Sequence, residues 1–260
     1  MITDALGGLS IVLGLAYLVL GGLAVAEVVH DYHTRGLSQF GLAFAAMAAS
    51  CGPHHVIHGL HLLEGIDTNG LTGVTILVGL PAGLVFVGLR VEAVTGGRGD
   101  RFIEGTPAWL VGTALGFLVA AGMLSALAVQ RLAHGHPLSW AAAGPNLFVT
   151  GTYGLVGALL IRTQMRRHLD LGGWSLSGLA LSGIFPTCAL MHLLYALTAR
   201  SDVHILPVDE LGVPASAYFL WVVYGLYREA IGDWNRRPFV GGARRTNRPS
   251  PWQQRPVRPS

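Results

Sequence analysis

Residues 38–63 read SQFGLAFAAMAASCGPHHVIHGLHLL, and residues 175–199 read SLSGLALSGIFPTCALMHLLYALTA. Neither run contains Asp, Glu, Lys or Arg. A helix rises about 1.5 Å per residue, so roughly 20 apolar residues cross a bilayer core. Both runs are long enough. Lipid offers the backbone no hydrogen-bond partner, so each must be a helix. The two also overlay without a gap at an offset of 137 residues. Ser38-x-x-Gly41-Leu42-Ala43 falls on Ser175-x-x-Gly178-Leu179-Ala180, Cys51 on Cys188, and His55 on His192. Those are the only 2 cysteines of the chain.

Working outward, charge-free spans recur at 7–26, 36–63, 68–89, 105–130, 141–161, 171–199 and 211–227, the last extending toward Ile231. The expected fold is all-α and integral to a membrane, with seven transmembrane helices. Ala24 and Ala26 mimic a signal-peptide cleavage site, but Asp4 and the lack of a basic residue before the first span argue against a removed leader. The offset of 137 persists beyond the quoted pair. Gly14, Leu18 and Val19 fall on Gly151, Leu155 and Val156, and Gly88-Leu89-x-x-Glu92-Ala93 falls on Gly225-Leu226-x-x-Glu229-Ala230. Three matched helices at one offset read as a 3+1+3 parallel repeat. The fourth span is the inverting linker that lets both copies cross in the same direction. The expected divisions are a first three-helix repeat over 1–104, a linker helix and outer loop over 105–140, a second repeat over 141–235, and a basic, unstructured Arg/Pro-rich cytoplasmic tail over 236–260. Parallel repeats place their sites between the halves, around an axis along the membrane normal.

Composition agrees. The 260 residues are 52% hydrophobic and only 12% charged, about half the charged share of a soluble domain. There is no Lys, which excludes a lysine-linked retinal and a Walker-type phosphate loop. The 17 Arg are uneven: 15 follow spans 1, 3, 5 and 7, and only Arg131 and Arg200 lie on the other side. The positive-inside rule then puts the N-terminus outside and the C-terminus in the cytoplasm, across the plasma membrane. Eight Arg lie from Arg228 onward, so the pI near 9.1 reflects a topology anchor and not a nucleic-acid surface.

The chemistry concentrates in spans 2 and 6. Cys51-Gly-Pro-His54-His55 and Cys188-Ala-Leu-Met191-His192 each place a thiol and an imidazole four residues apart, about 40° around a helix and on one face. Pro53 and Pro186 each remove a helical donor nearby. A pseudo-two-fold axis would bring the two faces together. Two thiolates and two imidazoles suit zinc, and Met191 adds soft character that favours copper. Cys51, His55, Cys188 and His192 are the core candidates, with His54, His58 and Met191 auxiliary. Polar groups at membrane depth are costly and point to function. His61, Glu64 and Asp67 continue toward the outside as an access path, and His134, His136 and His204 fall in outer loops. At the inner end, Glu27, His30, Asp31 and His33, with His168 and Asp170, read mainly as solvated helix ends, and Glu92 and Glu229 as local ion pairs or anchors.

The leading expectation is binding and transport or delivery of copper or zinc. The second is electron transfer, with His55 and His192 as axial ligands of a b-type haem. A zinc hydrolase lacks a His-Glu-x-x-His motif, and a metal or redox sensor would need a partner. A homo-oligomer or a membrane partner subunit stays open, as does a Cys51–Cys188 disulfide.

The 3+1+3 order is similar to that of the sugar-transporting SWEET family, without its short motifs. Gly52-Pro53-His54-His55 resembles the Gly-Pro-Asp-His segment of nickel/cobalt permeases, with His54 in place of Asp, and His58-Gly-Leu-His61 resembles a run in cytochrome oxidase subunit III. Each covers a handful of residues, and no functional residue is carried over from them.

Overall fold

The structure, a computed structural model, describes residues 2–65, 72–134, 139–198, 207–229 and 239–240. Seven helices follow one another: α1 (Ile2–Arg35), α2 (Gln39–Leu63), α3 (Thr72–Val94), α4 (Ala108–Ala133), α5 (Trp140–Leu171), α6 (Leu176–Thr198) and α7 (Pro207–Glu229). Among the described residues, six of them, α1 to α6, are long and apolar enough to cross a membrane. The chain is a multi-pass, nearly all-helical membrane protein. The seventh, α7, is 23 residues long but carries Asp209 and Glu210 in its first turn and Arg228 in its last.

Among the described residues, three short strands sit between helices, β1 (Leu37–Ser38), β2 (Phe102–Glu104) and β3 (Gly173–Ser175), and a fourth, β4 (Phe239–Val240), follows α7. They form two antiparallel ladders. In one, Phe102 faces Ser175 and Ile103 faces Trp174. In the other, Phe239 faces Ser38 and Val240 faces Leu37. Two residues of the segment expected to be an unstructured tail, Phe239 and Val240, therefore pair their backbone with β1 just before α2. The rest of that tail, Asp67, His136, Arg200 and His204 lie outside the described residues.

Equivalent caps start α2 and α6. Ser38 Oγ accepts from Gly41 N at 3.1 Å, and Ser175 Oγ accepts from Gly178 N at 3.1 Å. A serine side chain here satisfies one of the orphan donors of a helix N-terminus. Asp100 adds to the second cap: its carboxylate accepts from Ser175 Oγ at 2.6 Å and from Ser177 N at 2.9 Å. A negative group there also favours the helix dipole.

Around the bundle, α1 packs on α2 and α3, α6 on α3 and α5, and α7 on α2 and α5, which closes a ring of six helices. Outside the ring, α4 touches α3 and α6 and leaves Trp109, Leu115, Leu118 and Val129 exposed, as a lipid-facing helix does. In lipid, close packing of small residues replaces the hydrophobic drive. A Cβ on Gly14 would come within 2.6 Å of the Gly52 carbonyl oxygen, so α1 and α2 approach at backbone distance there. On the other side, a Cβ on Gly157 would meet Pro186 Cγ at 2.6 Å. A plug of aromatics, Phe40, Phe44, Phe86, Phe185 and Phe219, fills the ring below Cys51 and Cys188, and Phe185 stacks on Phe219 at 4.8 Å. Arg90 pairs with Glu27 of α1, and Arg101 with Glu92 at 2.7 Å, so these carboxylates are in ion pairs.

Candidate metal centre

His54 lies nine residues before the end of α2 and His192 six before the end of α6. At 1.5 Å per residue the two imidazoles sit roughly 9–14 Å from those helix ends. Their rings are neighbours, with centroids 4.5 Å apart and planes 37° apart. Asp209 joins them from α7. Ser50 Oγ donates to the Val208 carbonyl at 2.9 Å, which ties the start of α7 to α2 and brings the next residue beside His54. One ligand atom from each of His54, His192 and Asp209 lies within 4.8 Å of the others, and all three residues are buried.

A single chain of hydrogen bonds orders the group. His54 Nδ1 donates to Asp209 Oδ1 at 2.6 Å. Asn146 Nδ2 donates to Asp209 Oδ2 at 2.8 Å and also to the Ala142 carbonyl at 2.9 Å. His192 Nδ1 donates to Asn146 Oδ1 at 2.6 Å. With both Nδ1 atoms used, the acceptor nitrogen of each neutral ring is Nε2. Neither Nε2 has a partner, although both are buried. Buried polar atoms are almost always bonded, so two orphaned imidazole nitrogens on adjacent rings call for a ligand. An imidazole oriented by a carboxylate or amide at one nitrogen and bare at the other is the usual form of a metal-bound histidine. Asp209 adds the negative charge that a cation would offset.

The expected residues divide into separate groups. His54 and His55 are about 100° apart around α2, so they cannot face the same neighbour. The repeat offset pairs His55 with His192, yet the ring beside His192 is His54. His55 packs its ring edge against Tyr17 at 5.2 Å, and neither of its nitrogens has a partner. His58 stacks near His54 at 6.4 Å and meets Tyr195 at 5.7 Å. Of the access path, His61 lies in the last turn of α2 and Glu64 is its exposed C-cap. Met191 is buried in α6.

Cys51 and Cys188 are buried, free thiols about one turn deeper than His54 and His192, and both belong to one buried core cluster. Each also meets a phenol from a neighbouring helix, Tyr153 of α5 for Cys51 and Tyr17 of α1 for Cys188. Cys51 Sγ is 3.1 Å from the Tyr153 hydroxyl, and Cys188 Sγ is 3.4 Å from the Tyr17 hydroxyl. A haem plane needs open space beside both axial imidazoles. Here the neighbours of His55 and His192 are Tyr17 and Tyr153, so the residues fit a small ion better than a porphyrin.

Four of these groups are absent from the sequence reading. Asp209 reads as one more outer-loop acid because it precedes the charge-free run 211–227. Asn146 carries a signal of its own, an amide inside an apolar span. Tyr17 and Tyr153 are 136 residues apart, one short of the offset of 137, so they do not coincide in the overlay. No protein-family model, curated protein or solved structure matches the chain.

Proposed function

We propose that the protein binds a transition metal, copper or zinc, inside the plasma membrane and moves or delivers it from the outer side. The single observation that carries this reading is the pair of buried, unpartnered Nε2 atoms on adjacent imidazoles, with the Asp209 carboxylate beside them. Nitrogen and carboxylate donors suit Zn(II) and Cu(II). In this reading α7 is a seventh span, the N-terminus is outside and the C-terminus inside. The site lies between two halves related by the offset of 137. Support for that relation comes from the two ladders, in which Leu37, Ser38, Phe102 and Ile103 correspond at that offset to Trp174, Ser175, Phe239 and Val240, and from the matched serine caps.

Elemental analysis of detergent-purified, tag-free protein for Fe, Cu and Zn tests the proposal. Near-stoichiometric Cu or Zn that falls at least tenfold in His54→Ala and His192→Ala supports it. Metal content unchanged in both variants refutes the site. Stoichiometric Fe with a Soret band that disappears in His55→Ala would replace it with the haem reading.

A further inference from the structure

We propose that Cys51 and Cys188 form a second, deeper station, a two-coordinate thiolate site for Cu(I); the proposal rests on the His54–His192–Asp209 group acting as the outer station. The two thiols are 0% and 1% exposed and free, they share one buried core cluster, and they lie about one helical turn from His54 and His192, whose ring centroids are 4.5 Å apart. They come from α2 and α6, the same two helices that supply His54 and His192, three and four residues earlier in the chain. At 1.5 Å per residue this sets them roughly 5 Å further along the bundle axis.

The donor set decides the ion. Zinc in closed protein sites takes four ligands. The grouped His and Asp ligand atoms do not include either sulfur, so the thiols offer two donors and not half of a tetrahedron. Soft thiolates select Cu(I), and a d10 ion accepts low coordination. Binding is balanced as one Cu(I) and two thiols giving a bis-thiolate complex of charge −1 and two released protons. No electron is transferred. The Tyr153 and Tyr17 hydroxyls are placed to donate to the two sulfurs, and hydrogen bonds to an anionic acceptor are stronger than neutral ones. The phenols reach from α5 to α2 and from α1 to α6, which gives both sulfurs the same support. Imidazole also ligates copper, so an ion that is Cu(I) at both stations would leave nitrogen donors for sulfur as it moves inward, with no change of oxidation state.

The test is an anaerobic titration of the full-length, reduced protein in detergent with Cu(I) held by bicinchoninate, together with copper X-ray absorption. One Cu(I) bound by two sulfurs, with a thiolate-to-Cu(I) ultraviolet band lost in Cys51→Ser and in Cys188→Ser, is the expected result. Tyr17→Phe and Tyr153→Phe keep both thiols and the ring packing, and should weaken Cu(I) binding roughly 10- to 100-fold. Their thermal melting checks that the fold persists. Copper held by nitrogen and oxygen alone, or a band unchanged in the cysteine variants, overturns the proposal. Co(II) absorption reports the outer station separately. Co(II) binding that is normal, and lost in His54→Ala, beside an absent copper–sulfur signal sinks the thiol station alone. A copper–sulfur signal without Co(II) binding sinks the outer station and with it the inward transfer.

Discussion

Replacing Asp209 by Asn leaves the shape of the side chain intact and changes one acceptor into a donor. In the native group Asp209 Oδ1 accepts from His54 Nδ1 at 2.6 Å and Oδ2 accepts from Asn146 Nδ2 at 2.8 Å. The new amide keeps only one oxygen. If that oxygen stays with His54, its NH2 faces the NH2 of Asn146. Asn146 can relieve this by rotating, but its NH2 then points at His192 Nδ1, now bonded to Oδ1 at 2.6 Å. His192 must become an acceptor at Nδ1 and carry its proton on Nε2, where a metal would bind. The damage therefore reaches a histidine that the substitution does not touch. Loss of a group that orients a metal ligand costs about 10- to 100-fold in affinity, or roughly 1.4–2.8 kcal/mol. One hydrogen bond between membrane helices contributes only about 0.6 kcal/mol on average and at most about 1.7. Metal affinity should thus fall by more than stability does. Competition titration with Zn(II) or Co(II), beside a thermal melt of the metal-free protein, measures both. The same titration on Asn146→Ala, and on the double variant, should show strong non-additivity because the bonds form one chain. Affinity within twofold of wild type in Asp209→Asn, while His54→Ala loses tenfold or more, would refute the relay.

Gly14→Val should lower the melting temperature in detergent, because its Cβ must occupy a position 2.6 Å from the Gly52 carbonyl oxygen. Overpacking of this kind costs about 1–3 kcal/mol, and an unchanged melt would contradict the backbone contact of α1 with α2. Ser38→Ala should cost about 1 kcal/mol as a lost cap. Ser175→Ala should cost more in the same assay, since Ser175 also bonds Asp100. Equal losses would mean that the Asp100 contact contributes nothing. For orientation, a green fluorescent protein joined after Ser260 should fluoresce and alkaline phosphatase joined there should be inactive; the reverse pattern would invert the proposed topology.

The membrane-helix character was legible because it depends only on length and charge. A charge-free run of 20 or more residues has few stable alternatives, and α1 to α6 are each built around most of such a run. The likeness of 38–63 to 175–199 was legible for the same kind of reason: it is linear in the chain. The cap residues Ser38 and Ser175 act locally and could be read from their position before an apolar run. Linear spacing also placed Cys51 level with Cys188, and His55 level with His192 about one turn nearer the outside, since rise per residue is a property of the single helix.

Rotation about the helix axis is different. Whether His54 or His55 meets His192 depends on how α2 turns against α6 and α7, and a residue step of about 100° separates the two outcomes. That choice is set by packing, including the Gly14–Gly52 approach that fixes the α1 face of α2. Asp209 and Asn146 enter the centre from α7 and α5, 155 and 92 residues along the chain from His54. Only the closed ring of helices brings them within hydrogen-bond range. The sequence by itself determined that the chain builds apolar helices with thiols and imidazoles inside them. The tertiary structure decided which imidazoles face each other and which carboxylate joins them, because hydrogen-bond partners across a bundle follow from helix rotation and not from spacing along one strand of chain.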